Sequence, residues 1–279
     1  MRFRLCLALL IPMMAAAQPA GKALSILNAS VQQYEDGPPL PASHRFVAGE
    51  TVFFSFQVAG YSLSTDQRVL LTYRIDTFDS EEVRLVESAS GKLEAGITDM
   101  DKDWRPRIRH MFSIPSYAPA GEYRIAAWVK DETGGLEASV TLPLNVQGRT
   151  VEKSDHLVIR NLRFFRSETD REPFSPASYR GGDRLWARFD VTGYRLGEKN
   201  RMDVSYGLSI LSSSGKVLFT EKLAAQEADA PFYPKRFFEG IVSLSVQPKT
   251  TPGEYTLVVS ARDEVGGQTA EARGAFRIE

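Results

Sequence analysis

The sequence predicts an all-β protein built from two tandem antiparallel β-sandwiches. Three observations carry that expectation: the second half repeats the first, apolar residues alternate with period two, and glycine-containing turns punctuate the alternation. Gly49-Glu50-Thr51 through Ala59-Gly60-Tyr61-Ser62-Leu63 reads against Gly182-Asp183-Arg184 through Thr192-Gly193-Tyr194-Arg195-Leu196. Ala120-Gly121-Glu122-Tyr123 reads against Pro252-Gly253-Glu254-Tyr255. The offset is 133 residues at the first match (182 − 49) and 132 at the second (255 − 123). Solenoid units repeat every ~20–50 residues, so a repeat of this length is a duplicated domain.

From the N-terminus, Arg2 and Arg4 form a positive region, and Leu5 to Met14 an apolar one broken by Pro12. Ala15-Ala16-Ala17 supplies the small residues that a signal peptidase accepts, so residues 1–17 are expected to be a signal peptide. The apolar run is short for a membrane helix, and no transmembrane segment is expected after the signal is removed. The only cysteine, Cys6, lies inside it. Export without disulfides excludes the small disulfide-stapled class and suits a bacterial periplasmic or secreted protein. Charge is balanced, with 34 basic and 35 acidic residues and a net −1. Losing Arg2 and Arg4 makes that −3, so nucleic acid is not an expected partner.

The first sandwich is expected over residues 24–147, a polar linker over 148–155 and the second sandwich over 156–279. Leu24-Ser25-Ile26-Leu27-Asn28 opens the first copy as Leu157-Val158-Ile159-Arg160-Asn161 opens the second. Next come Val52, Phe54, Phe56 and Val58 on one face of a strand, matched by Leu185, Ala187, Phe189 and Val191. Val69, Leu71, Tyr73 and Ile75 match Met202, Val204, Tyr206 and Leu208. Tyr123, Ile125, Ala127 and Val129 match Tyr255, Leu257, Val259 and Ala261. Period-two alternation marks strands with one buried face. Ala59-Gly60, Ser90-Gly91, Gly134-Gly135, Gly215 and Gly266-Gly267 mark turns between them.

The Gly-Glu-Tyr step, the alternating strand, the Asp and the Gly-Gly turn resemble the last two strands of immunoglobulin-like domains. The resemblance implies two tandem immunoglobulin-like sandwiches, fibronectin-like or macroglobulin-like, without the cysteine pair of antibody domains. It also implies that Tyr123 and Tyr255 pin the preceding corner through their hydroxyls. An extracytoplasmic interaction or spacer module is the role it implies, with no catalytic residues to carry over.

The chemistry-bearing residues fit that reading. His44, His110 and His156 are isolated in sequence, without metal-ligand spacing. His110 alternates with Ile108, Phe112 and Ile114 and is expected to be partly buried. Ser205 and Ser260 lie in strands without a nucleophile elbow. Asp99, Asp101 and Asp103 alternate in a loop, and whether they hold Ca²⁺ stays open. Asp131 and Asp263 precede the Gly-Gly turns and are expected to bond turn amides. No enzyme activity, catalytic residue, cofactor or metal is expected.

The remaining aromatic residues are the candidate binding groups. Phe53 and Trp186 lie opposite the predicted core, and Trp128 shares an outer face with Arg124 and Lys130. Two aromatic-basic loops, Trp104-Arg105-Pro106-Arg107 and Phe232 to Phe238, complete the set. The candidate residues are Phe232, Tyr233, Lys235 and Arg236, with Trp104 and Trp128. Packing is the competing role: an outward Trp under a neighbouring Arg or in the interdomain junction, and Phe237 with Phe238 sealing the open end of the second sandwich. An envelope or extracellular protein is the expected partner, with a glycan possible. A carbohydrate-binding accessory module and a two-domain periplasmic chaperone are the alternatives.

Overall fold

A computed structural model describes residues 23–101 and 103–279. The expected signal peptide and Cys6 lie outside the described residues. Eight strands precede the linker: β1 (Ser25–Gln32), β2 (Arg45–Val47), β3 (Thr51–Ala59), β4 (Arg68–Phe78), β5 (Ala89–Gly96), β6 (Arg107–Ser113), β7 (Gly121–Asp131) and β8 (Glu137–Gln147). Eight follow it: β9 (Val158–Phe165), β10 (Ser178–Tyr179), β11 (Arg184–Thr192), β12 (Met202–Ser212), β13 (Val217–Asp229), β14 (Phe237–Ser245), β15 (Gly253–Asp263) and β16 (Thr269–Ile278). The described residues contain no α-helix, only two single-turn 3₁₀ segments, Asp99–Asp101 and Glu198–Asn200.

The strands form four sheets. In the first half these are β1-β3-β6 and β2-β8-β7-β4-β5, in the second β9-β11-β14 and β10-β16-β15-β12-β13. Each strand of the second half takes the place of its counterpart eight positions earlier. No sheet mixes strands from the two halves, and no strand lies in residues 148–155. The expectation of purely antiparallel sheets needs one correction: β2 runs parallel to β8, and β10 parallel to β16. A parallel partner needs a long connection. Here the chain crosses the sandwich between β1 and β2, and between β9 and β10, pairing first with the small sheet and then with the large one.

Alternation places the core. Val52, Phe56 and Val58 are fully shielded and Phe54 nearly so, as are Leu185, Ala187, Phe189 and Val191. Fully burying one such side chain is worth about 1.5–3 kcal/mol. The two cores are separate clusters, and one residue crosses over: Tyr233, from the second half, packs in the core of the first.

Other repeated residues hold turns and corners. The Tyr123 hydroxyl donates to the Pro119 carbonyl at 2.8 Å, and the Tyr255 hydroxyl to that of Thr251 at 2.6 Å. Both reach back four residues, the corner expected from the resemblance. Asp131 is fully buried and accepts the Thr133 amide at 3.0 Å and the Ser62 amide at 2.8 Å. Asp263 does the same with Val265, Gly266 and Arg195. Each carboxylate thus ties its own turn to the loop after β3 or β11. Gly60 and Gly193 have φ of 78° and 75°, and a Cβ there would lie about 2 Å from the Ala23 or His156 carbonyl oxygen. Left-handed backbone and close approach together demand glycine.

Candidate functional site

The Phe232–Phe238 segment leads into β14 and lies against the first sandwich. Tyr233 is 1% exposed. Its hydroxyl donates to Asp79 Oδ2 at 2.8 Å, and its carbonyl accepts the Tyr117 hydroxyl at 3.1 Å. The Tyr117 and Tyr233 rings stack with centroids 6.3 Å apart. Arg236 donates to the same Asp79 oxygen at 3.2 Å and pairs with Glu81 at 3.3 Å. Asp79 lies just past β4 and is itself buried, and its other oxygen accepts the amides of Glu81 and Val83 at 2.8 and 2.9 Å. The carboxylate is therefore satisfied on both oxygens, which a buried charge requires. Burial, then the bond to Asp79, pushes the Tyr233 phenol well above its ordinary range, so it stays a proton donor.

The linker adds to this junction. Lys153 pairs with Glu81 on the first sandwich. Arg149 pairs with Asp190 and, at 3.1 Å, with Glu239 on the second. A crevice between the halves is lined by Ser80, Tyr123, Val151, Lys153, Thr192 and Phe237.

Each candidate residue takes a different place. Tyr233 is withdrawn from solvent, which corrects its expected placement on an open binding surface: the ring fills a gap in the first core, and the hydroxyl has a buried partner. Lys235 pairs with Glu227 and lies 5.9 Å over the Tyr117 ring. Phe238 seals the second core against Tyr194 and Tyr206. Phe232 alone of this segment's aromatic rings is largely solvent-facing, at 49% exposure. Trp104 is partly exposed, and its carbonyl accepts the Tyr61 hydroxyl at 2.7 Å. In the second copy the Tyr194 hydroxyl bonds the Lys235 carbonyl at 2.6 Å, so the two aromatic-basic loops are pinned in the same way. Trp128 lies on the outer face of β7 and donates its indole N–H to Glu137 at 3.1 Å. The structure does not gather Trp104, Trp128 and Tyr233 into one platform.

In the acidic loop, Asp101 turns inward on its own backbone and accepts the Thr98 hydroxyl at 2.6 Å and the Thr98 amide at 3.1 Å. Those bonds, the hydroxyl first, hold its carboxyl below the usual range. No three His, Cys, Asp or Glu side chains among the described residues are grouped to hold a metal ion. His110 is partly buried and stacked on Phe112 with centroids 5.5 Å apart, as its alternation suggested, and burial lowers its pKa. No helix among the described residues is long and apolar enough to cross a membrane.

The chain matches no protein-family model and no curated protein. Several solved structures resemble it at low TM-scores. The C-terminal domain of the antigen I/II-family protein AspA of Streptococcus pyogenes is 9% identical, with 93% of this chain and 99% of that one covered at a TM-score of 0.33. For the C-terminal domain of the AgI/II polypeptide BspA of Streptococcus agalactiae the values are 8%, 91%, 99% and 0.32. Red sea bream transglutaminase is 9% identical over 91% of this chain at a TM-score of 0.26, and this chain spans only 31% of its length.

In the sequence Asp79 stands among other acidic residues, Asp76, Glu81 and Glu82, with nothing to single it out. Its partner Tyr233 lies 154 positions away. An Asp can bond the backbone amide two residues on, as Asp79 does with Glu81, and nothing local signals the second, distant role.

Proposed function

We propose that this chain is a non-enzymatic, exported module of the cell envelope that holds protein partners at a fixed separation. The junction carries the reading. A spacer must keep its two sandwiches from swinging, and interdomain contacts within a chain leave relative motion as the default unless they are extensive. Here a tyrosine of one half is buried in the core of the other, its hydroxyl and Arg236 share one buried carboxylate, and Lys153 and Arg149 tie down the linker at both ends. Asp79 Oδ2 takes both its side-chain partners, Tyr233 and Arg236, from the other half, and docking keeps both bonds.

Electron–electron distance measurement tests this. The only native cysteine is Cys6, within the expected signal, so spin labels at Ser90→Cys and Ser214→Cys report solely on the two sandwiches. A single narrow distance distribution is expected, broadened by Tyr233→Ala with Arg236→Ala. A broad distribution in the unsubstituted junction would reject the spacer role. Export is tested by fractionation, with the mature protein expected outside the cytoplasm and beginning near Gln18.

A further inference from the structure

The outer face of the small sheet β9-β11-β14 carries an arrangement that folding alone does not favour. Arg163 on β9 lies directly opposite Arg188 on β11. Like charges at opposed positions of an antiparallel pair repel and weaken the sheet. One register step along, Asp190 lies directly opposite Glu239, and here the repulsion is relieved because linker Arg149 pairs with both. No carboxylate bridges the arginine pair in this way. Among the described residues neither Arg163 nor Arg188 nor nearby Arg171 pairs with a carboxylate. Arg188 is instead held in place by neutral acceptors, the carbonyls of Asp170, at 2.8 Å, and Glu168. Its guanidinium lies 4.3 Å over the Phe165 ring. The Asp170 carboxylate lies near enough to Arg188 to feel its charge but does not pair with it, and accepts the Ser167 hydroxyl at 2.7 Å and the amides of Ser167 and Arg166.

Arg163, Arg188 and Phe165 line one cleft of about 230 Å³ between the linker and the sheet, where Arg149 and Arg171 bring the arginines to four against the two carboxylates of Asp190 and Glu239. The surplus is two positive charges (4 − 2). Drug-sized ligands occupy about 300–1,000 Å³, so the cleft suits one compact charged group. Guanidinium forks match tetrahedral oxyanions and are lightly hydrated, which favours them for this task. We propose that Arg163, Arg171 and Arg188 form a binding site for a doubly charged tetrahedral oxyanion, a phosphate or sulfate group. Arg188 is the fixed donor, and Arg163 and Arg171 close on the anion from β9 and the following loop. The bound charge removes the cross-strand repulsion, so binding also stabilises the sheet. The site stands apart from the spacer reading and survives its failure.

Calorimetric titration and thermal unfolding of the mature chain test this, with sodium phosphate and sodium sulfate as probes and sodium chloride at matched ionic strength as control. Phosphate or sulfate is expected to raise the melting temperature saturably while chloride does not. Arg163→Ala and Arg171→Ala should each weaken binding at least about tenfold, the scale of one charged hydrogen bond. Arg163→Gln, which keeps most of the length without the charge, should lose as much. In low salt without ligand, the Arg163 variants should melt at or above the parent temperature, because one of two repelling charges is gone. Glucose 6-phosphate separates the sources. Tighter binding than inorganic phosphate places the group on a larger molecule, and equal or weaker binding makes the free anion the ligand. The site is refuted if chloride gives the same rise, or if Arg163→Ala with Arg171→Ala retains the parent affinity.

Discussion

Tyr123 and Tyr255 donate their hydroxyls to the carbonyl four residues upstream, and each bond closes the corner before a central strand. Tyr→Phe at either position removes that bond and leaves the ring. A loss of about 0.5–1.5 kcal/mol is expected, read as a fall in denaturant midpoint at constant slope. Asp131 and Asp263 carry more. Both are fully buried and accept two or three backbone amides. Asp131→Ala strands those amides at about 1–3 kcal/mol each, so chemical denaturation should show a deficit larger than that of the tyrosines. His110 makes stability depend on pH. Burial lowers its folded pKa below the unfolded value near about 6.5. The unfolded chain then binds more protons in the window between the two values, so the His110 contribution is present above it and lost as pH falls through it. His110→Phe should flatten the stability–pH curve between about pH 6.5 and the lower folded value, measured by urea unfolding across that range.

Two elements of the second half depart from their counterparts in the first. Strand β13 is an edge of 13 residues against eight in β5, and Val217, Leu218, Phe219 and Leu223 face solvent. A long apolar edge invites strand addition. The ladder to β12 is broken, however, by register shifts between Tyr206 and Leu208 and between Ile210 and Leu211. Bulges of this kind bend an edge and spoil it as a template. Gly207 sits at the first shift, where a Cβ would lie 2.4 Å from the Glu221 and Lys222 carbonyl oxygens. Gly207→Ala must push backbone aside and should cost about 1–3 kcal/mol, checked by thermal melting. The other departure is the Phe232–Phe238 loop. The first copy's Trp104 loop shares its tyrosine pin, yet only the later loop meets another sandwich. Phe232→Ala should leave stability nearly unchanged, because that ring faces solvent.

At the scale of the whole molecule, Tyr233 makes the first core depend on the second half. Residues 23–150 expressed alone would lack the ring that fills their core and the donors that satisfy Asp79. This fragment should melt below the same region within the full chain. In differential scanning calorimetry, Tyr233→Ala should split one transition into two, because the halves keep separate cores once the plug is gone. Two unchanged transitions in both proteins would show that the junction carries no coupling.

The all-β class, the duplication, the alternation that defines both cores and the tyrosine corners were legible in the residues themselves. Each rests on local pattern, on period two or on a turn a few positions away. Repetition also sorted the residues, since Gly60 with Gly193 and Asp131 with Asp263 show by recurring that they serve the fold. Three things required the tertiary structure. Tyr233 reads in sequence as an exposed aromatic in a basic loop, and only the docking of one sandwich on the other buries it. Asp79 gains its partner from 154 positions away. The opposition of Arg163 and Arg188 depends on a register that a bulge near Asn161 sets, with φ of 52° at that residue. Pattern within a strand fixes which face a side chain takes, whereas the partner across the sheet or across the junction is fixed by register and docking, which sum over contacts too distant in sequence to leave a local mark.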